Sequence, residues 1–291
     1  MNYNELRSVI KEYSNTNFIL ASNNLQEILF EIDKESLLSI IAEIGIIPED
    51  IEHDSSEEKL YTKVSDILFA KSLKEMNFEV EVIRERSNCA DIIAQSKFHN
   101  YSFVGDAKAF RLSRTAKNVK DFKIDSMVHW RGDNDYSVLA CPYFQYPKSN
   151  SQIYKLALEG NVSLFSWEYL YIVLSENIME NETINLQELW NQSHVIMQQT
   201  NMADSNKCFI KYQDENIKNI LGITDIVFSN HFDNIKKSIS ARGNKEINYY
   251  QSEINRVNKL NKKEAIKELL LYMKLDSKIE TIRKFINQIE K

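Results

Sequence analysis

The chain has 291 residues, 43% hydrophobic and 11% aromatic, and a formal net charge of −6, enough apolar material to bury one large core or two smaller ones. It has no apolar run of about 18 residues, and its N-terminal MNYNELRSVIKEYSN carries charges where a secretory leader needs an unbroken apolar stretch, so a cytoplasmic protein with no membrane association is expected. Six glycines, three prolines and three widely spaced cysteines, Cys89, Cys141 and Cys208, argue against Gly-rich phosphate loops, long flexible linkers, a disulfide framework and a zinc cluster.

In chain order, the apolar spacing of FILASNNLQEILFEI and SLLSIIAEIG predicts helices that stop at Gly45 and Pro48, which makes residues 1–50 a small helical cap. A longer helix is predicted from Ser56 to Asn77, with Leu60, Val64, Ile67, Leu73 and Met76 on its apolar stripe. The period then becomes that of strands. FEVEVIRER alternates over residues 78–86, ADIIAQSKF is a second strand and YSFVGDAKAF a third. A helical pattern from Thr115 to Trp130, an apolar strand YSVLACP, a further strand NVSLFSW and the helix EYLYIVLSENI follow. Beyond Leu186 the chain reads as helices, with capping boxes at Asn261/Glu264 and Ser277/Glu280. The predicted fold class is therefore mixed α and β. A core over residues 51–180 has the order helix, three strands, helix, strand, and a helical region over 181–291 packs with it as one compact unit.

Charge is unevenly spread. Lys108, Arg111, Arg114, Lys117, Lys120 and Lys123 face one acid, Asp121, so this stretch carries +5 on a body that sums to −11. A patch of that kind is either a solvated helix face or the footprint of a nucleic acid.

The patch begins at the strand that carries Asp106. If the second and third strands form a hairpin turning near Phe98 to Asn100, the residue opposite Asp91 is Asp106 for a Phe98-His99 loop, or Lys108 for a His99-Asn100 loop. Either register gathers the acids. Side-chain alternation puts Asp106 and Lys108 on one face and Ala107 on the other. Carboxylates a few ångströms apart repel unless a cation lies between them, and Mg²⁺ is the natural hard, oxygen-liganded occupant. The same three charges would also suit a salt-bridge cluster on an exposed sheet.

An acid, fourteen intervening residues and then Asp106-Ala107-Lys108, within helix, three strands, helix, strand, resembles the PD-(D/E)xK nuclease pattern, with Ala90 in place of the usual proline. The flanks narrow the resemblance. DAKAFRLSRTAKNVKDFKIDSM, with EKLYTKVSDILFAK upstream and FQYPKSNSQIYK and LFSWEYL downstream, is similar to the HindIII family of type II restriction endonucleases from about Ile46 to Leu174. The resemblance implies a homodimeric, Mg²⁺-dependent bacterial enzyme, with Mn²⁺ as a substitute. It also implies cutting of double-stranded DNA within the palindrome AAGCTT to leave 5′ overhangs.

Phosphodiester hydrolysis needs an activated water, compensation of phosphate charge and a stabilised leaving oxygen. Asp91 and Asp106 are the expected metal ligands, with the Ala107 carbonyl as a further one, and Lys108 is expected to contact the water or the scissile phosphate. A fourth acid is sought on the preceding helix. Glu58 is the candidate, although Ser55-Ser56-Glu57-Glu58 also reads as a helix-capping box, and Glu85 is a weaker contender. For DNA, the loop and helix after the third strand offer Arg111, Ser113, Arg114, Thr115, Lys117, Asn118, Lys120, Asp121 and Lys123. Asn118 suits an adenine edge, Asp121 a cytosine and Lys123 a guanine, while Arg114, Lys117 and Lys120 suit phosphates; alternatively, Asp121 and Lys123 pair with each other. The five histidines are too scattered for a metal site. Two other readings stay open at this level: a PD-(D/E)xK nuclease without a fixed target sequence, and a non-catalytic DNA-binding protein.

Overall fold

The computed structural model describes all residues except 84–88, 115–118, 148–150, 200–201 and 290–291, and all of their side chains except those of 202–206, 276–277 and 285–289. The N-terminal cap holds three helices, α1 (Tyr3–Tyr13), α2 (Phe18–Phe30) and α3 (Lys34–Ile44). Each starts where a short polar side chain, Asn2, Asn17 or Asp33, accepts a first-turn N–H, as helix N-termini require. Leu6, Ile10, Leu25, Leu29, Ile40 and Ile44 are fully buried in one core with the long helix α4 (Ser56–Glu75). From Val64 to Leu73 every residue of α4 is buried. A helix covered all round belongs at the centre of a domain.

Helix α4 packs on a five-stranded sheet, β1 (Phe78–Val82), β2 (Ile92–Ser96), β3 (Ser102–Ala107), β4 (Tyr136–Cys141) and β5 (Val162–Ser166), arranged in that order. The first two pairings are antiparallel and the last two parallel. Parallel strands need crossovers. These are α5 (Val119–Phe122) with α6 (Ile124–Trp130) between β3 and β4, and α7 (Gln152–Gly160) between β4 and β5. Side-chain alternation serves two cores. Phe103, Ala107, Val138, Ala140 and Phe165 join the core of α4 and α8 (Trp167–Ser175), whereas Val104, Leu139, Cys141, Val162 and Leu164 join the core of α6 and α7. With both faces covered, β4 and β5 can be the continuous apolar runs seen in the sequence.

The fold class is the predicted mixed α and β one, with a central sheet flanked by helices. Its boundaries differ in places. The helix predicted over 115–130 is interrupted at Lys123, whose φ of 48° ends α5 and starts α6. The strand predicted over 78–86 is described as far as Val82, with 84–88 outside the described residues. Further on come α9 (Gln187–Trp190), α10 (Gln192–Gln199), α11 (Met202–Leu221), α12 (Asp225–Asn258), α13 (Lys262–Tyr272) and α14 (Leu275–Ile289). The Asn261/Glu264 capping box is present, whereas Ser277 lies inside α14 and not ahead of it. The chain divides into two compact units, Met1–Gly243 and Asn244–Lys291. Among the described residues, no helix is long and apolar enough to cross a membrane.

One buried acid outside the sheet makes the stability of the fold depend on pH. Glu168, in the first turn of α8, is 3% exposed and accepts the Tyr143 N–H at 2.8 Å. Burial pushes its carboxyl up to about 7, and the Tyr143 N–H only partly opposes this. Because the folded-state value is raised, the associated stability is complete below the ordinary glutamate range and is lost as pH rises through about 7. Glu168→Gln is expected to remove this loss. Its gain over the parent should be absent near pH 4 and reach roughly 3 kcal/mol at pH 8, measured by urea unfolding at both values. An equal effect at the two pH values would show that Glu168 is not the titrating group.

Candidate active site

The site forms where α4 meets the ends of β2 and β3. In the antiparallel register Ile92 pairs with Gly105, and the Asp91 N–H donates to the Gly105 carbonyl at 3.1 Å, which places Asp91 across from Asp106. This is the first of the two registers the hairpin allowed. Asp106, at the buried end of β3, is 1% exposed. A third acid comes from α4. Asp66 is 6% exposed and accepts the Ala107 N–H at 3.3 Å. Carboxylate oxygens of Asp66, Asp91 and Asp106 all lie within 4.8 Å of one another.

Two lysines face this cluster. The Lys108 ammonium donates to Asp106 in a short ion pair. Lys63, one turn before Asp66 on α4, stands 3.9 Å from Asp91 and donates to the Ile83 carbonyl at 3.0 Å. The backbone of Lys108 is fixed at both ends, with its N–H on the Ala140 carbonyl at 2.7 Å and its carbonyl receiving the Trp167 indole N–H at 2.9 Å. The cluster opens into a cleft of about 970 Å³ lined by Tyr13, Lys59, Lys63, Cys89, Lys108 and Lys123 together with the three acids.

Three acids and two lysines leave an uncompensated negative charge. Burial, then the charges of Asp91 and Asp106, hold the Asp66 carboxyl well above the usual carboxylate range. Asp91 is pushed up to about 6 by burial and by Asp106. For Lys108, burial works against the charged form, but Asp106, Asp66 and Asp91 outweigh it and raise the value. Hard oxygen donors that converge and resist simultaneous ionisation are the donor set that suits a divalent cation. A carboxylate site able to hold a divalent metal is thus present.

Glu58 is not among the acids that meet. It lies eight residues before Asp66, about 12 Å along the helix axis. Its carboxylate is taken by the Arg111 guanidinium at 2.6 Å and the Asp54 N–H at 2.8 Å, while its own N–H donates to the Ser55 hydroxyl. Capping and ion pairing therefore account for Glu58. Glu85 lies outside the described residues. Sequence reasoning missed Asp66. Its signal was a single acid inside VSDILFA, where an ordinary buried helix would carry none.

The candidate DNA-contacting residues are dispersed in their roles. Arg111 is buried, with its guanidinium on the Pro48 and Ile51 carbonyls and on Glu58. Ser113 donates through its N–H and hydroxyl to Glu49 at 2.8 and 2.7 Å. These contacts clamp the strand-end loop to residues 48–58. Arg114 pairs with Asp121. The Lys123 ammonium lies 5.7 Å from the Trp130 ring centre and borders the cleft, and Lys120 is exposed. Thr115, Lys117 and Asn118 lie outside the described residues.

Comparison with known proteins agrees with this architecture. The family described as HindIII restriction endonuclease matches residues 13–286. The type II restriction enzyme HindIII of Haemophilus influenzae (strain ATCC 51907 / DSM 11121 / KW20 / Rd) is 37% identical over 286 residues, covering 98% of this chain and 95% of that one. With a match of that length lying over a hairpin that brings Asp91 to Asp106 and ends at Lys108, the chain belongs to the HindIII family of restriction endonucleases.

Proposed function

We propose that the protein is a Mg²⁺-dependent type II site-specific deoxyribonuclease, acting as a homodimer in a bacterial cytoplasm. It hydrolyses both strands of duplex DNA within AAGCTT and leaves 5′-phosphate and 3′-hydroxyl ends. The observation that carries the reading is the convergence of Asp66, Asp91 and Asp106 beside Lys108 in an open cleft. The target sequence rests on likeness to the Haemophilus enzyme, whose family the chain shares.

Asp66, Asp91, Asp106 and the Ala107 carbonyl would hold the cation, which supplies Lewis acidity toward water and phosphate oxygens when bound. Lys108, protonated at neutral pH, donates hydrogen bonds and does not accept them, so its part is to orient the attacking water or the scissile phosphate and to offset charge growing on phosphorus. The Trp167 and Ala140 contacts keep its backbone still while its side chain turns from Asp106 to substrate. Lys120, Lys123 and Arg114 lie after β3, where a duplex entering the cleft presents its phosphates. Base reading falls to this same segment, including Asn118.

The test is digestion of a plasmid of known sequence with Mg²⁺, followed by sequencing of the fragment ends. Discrete fragments ending within AAGCTT are expected. A smear would instead indicate a nuclease without sequence specificity, and EDTA-resistant binding without cutting a non-catalytic DNA-binding protein. Lys108→Ala should lose most cleavage yet still take up Mn²⁺, because the carboxylates remain. Crystals of the variant soaked in Mn²⁺ check this, and an empty site beside an occupied parent site would assign Lys108 to metal organisation instead.

A further inference from the structure

The chemistry of the cleft uses its acidic floor and the segment after β3, and leaves the wall made by α4 without a role. Lys59, Lys63 and Asp66 follow one another on one face of this helix at intervals of four and three, and all three line the cleft. Two ammonium groups four residues apart repel and weaken a helix, and the acids of its first turn are engaged elsewhere, Glu57 with Arg7 at 3.5 Å and Glu58 with Arg111 at 2.6 Å. Lys59 is exposed and makes no side-chain ion pair or hydrogen bond among the described residues. Lys63 is held in place. Its side chain is 12% exposed, its ammonium donates to the Ile83 carbonyl at 3.0 Å, and Asp91 stands 3.9 Å away, beyond hydrogen-bond reach. An ammonium has three donors, so one bond to Ile83 leaves two to offer to the cleft.

Lys63 and Lys59 lie about 4.5 and 10 Å from Asp66 along the helix axis. Successive phosphates of one DNA strand rise about 3.4 Å, so the two ammonium groups match phosphates about one and three nucleotides from a bond held at the carboxylate floor. We propose that Lys63 and Lys59 form a second basic wall that grips the strand being cut, Lys63 on the phosphate next to the scissile one and Lys59 about two phosphates further on. Three carboxylates repel every phosphate that no cation bridges to them, and fixed ammonium groups beside the floor offset that repulsion. The contact is to the backbone and reads no bases. The place of the scissile bond rests on the proposed nuclease reading.

The experiment measures single-turnover cleavage of an AAGCTT duplex with Mg²⁺, and its binding in Ca²⁺, for the parent, Lys63→Met and Lys59→Met, which keep an unbranched stem and remove the charge. Each phosphate within about four nucleotides of the cut is replaced in turn by a neutral methylphosphonate. At one position next to the scissile bond the parent should slow about tenfold or more, the loss of a hydrogen bond to a charged group, and Lys63→Met should not slow further, because the partner is already gone. A second position, about two phosphates further on, should pair with Lys59→Met in the same way. At every other position the variants should respond as the parent does. A purely structural loss would slow all duplexes by one factor and keep the parent's pattern, which overturns the wall, as does a parent indifferent to every flanking replacement. Should Lys63→Met fail to fold, the Lys59→Met pattern decides. Cutting by the parent with additive losses in the variants rejects the wall and leaves the nuclease reading intact. A parent that cuts nothing, but whose binding in Ca²⁺ shows the paired pattern, does the reverse.

Discussion

Asp66→Asn is expected to lower DNA cleavage by several orders of magnitude and, without divalent metal, to make the protein more stable than its parent. The two effects have one cause. Asp66 is buried beside Asp91 and Asp106, and burial together with their charges makes its ionised form unfavourable. Because its folded-state value is raised, the stability linked to its proton is present below the ordinary carboxylate range and is lost as pH rises, so at neutral pH the ionised acid is a burden. Asparagine keeps the shape and can still accept the Ala107 N–H, but it carries no charge to repel its neighbours or to hold a cation. Added Mg²⁺ or Mn²⁺ should reverse the order, since a ligand bound by the folded state alone stabilises the parent by mass action. Thermal unfolding of both proteins with and without metal, beside plasmid digestion, is the measurement. Near-normal cleavage by Asp66→Asn would remove it from the ligand set. Asp91→Asn and Asp106→Asn should likewise lose cleavage while still binding cognate DNA in Ca²⁺.

The second large effect is expected at a residue with no chemistry. A Cβ added at Gly105 would lie 2.7 Å from both Ile92 Cγ1 and Phe69 Cε1, well inside contact distance. Phe69 stands one turn beyond Asp66 on α4, so the bare backbone of Gly105 is what lets this helix come close enough for Asp66 to reach Asp106. Gly105→Ala should therefore destabilise by about 3 kcal/mol, the upper end of overpacking costs. It should also reduce activity by more than the unfolded fraction explains, because α4 is displaced from the sheet. Phe69→Leu in the same chain should restore part of both by making room. A Gly105→Ala protein with parental urea midpoint would show that the helix is not held at this distance.

Several features were legible because they are local. The capping box at Asn261 and Glu264, the change from helical to strand period after Asn77, and the covered strands β4 and β5 all follow from short windows of sequence. The meeting of Asp91 with Asp106 was legible as one of two registers, because a hairpin links close sequence positions by a countable turn. Asp66 was not. Twenty-five residues separate it from Asp91, and nothing in a helical window says which of its turns will cross the end of a strand. Glu58 was the candidate because a fourth acid was sought on that helix, but it also stands at the helix N-terminus, where acids commonly serve the cap, and there it meets Ser55 and Arg111.

By itself, the sequence determined the class of fold, the acids and lysine of one hairpin and the long likeness to a restriction enzyme family, all of which reside in residue order and spacing. The tertiary structure alone decided that α4 brings a third carboxylate and a second lysine to the hairpin, and that Arg111 and Ser113 are spent within the chain. The reason is that a side chain's partner depends on which backbones approach closely in space. At this site that approach is set by a glycine, two packed helix turns and a strand register acting together, and no single window of the sequence contains them all.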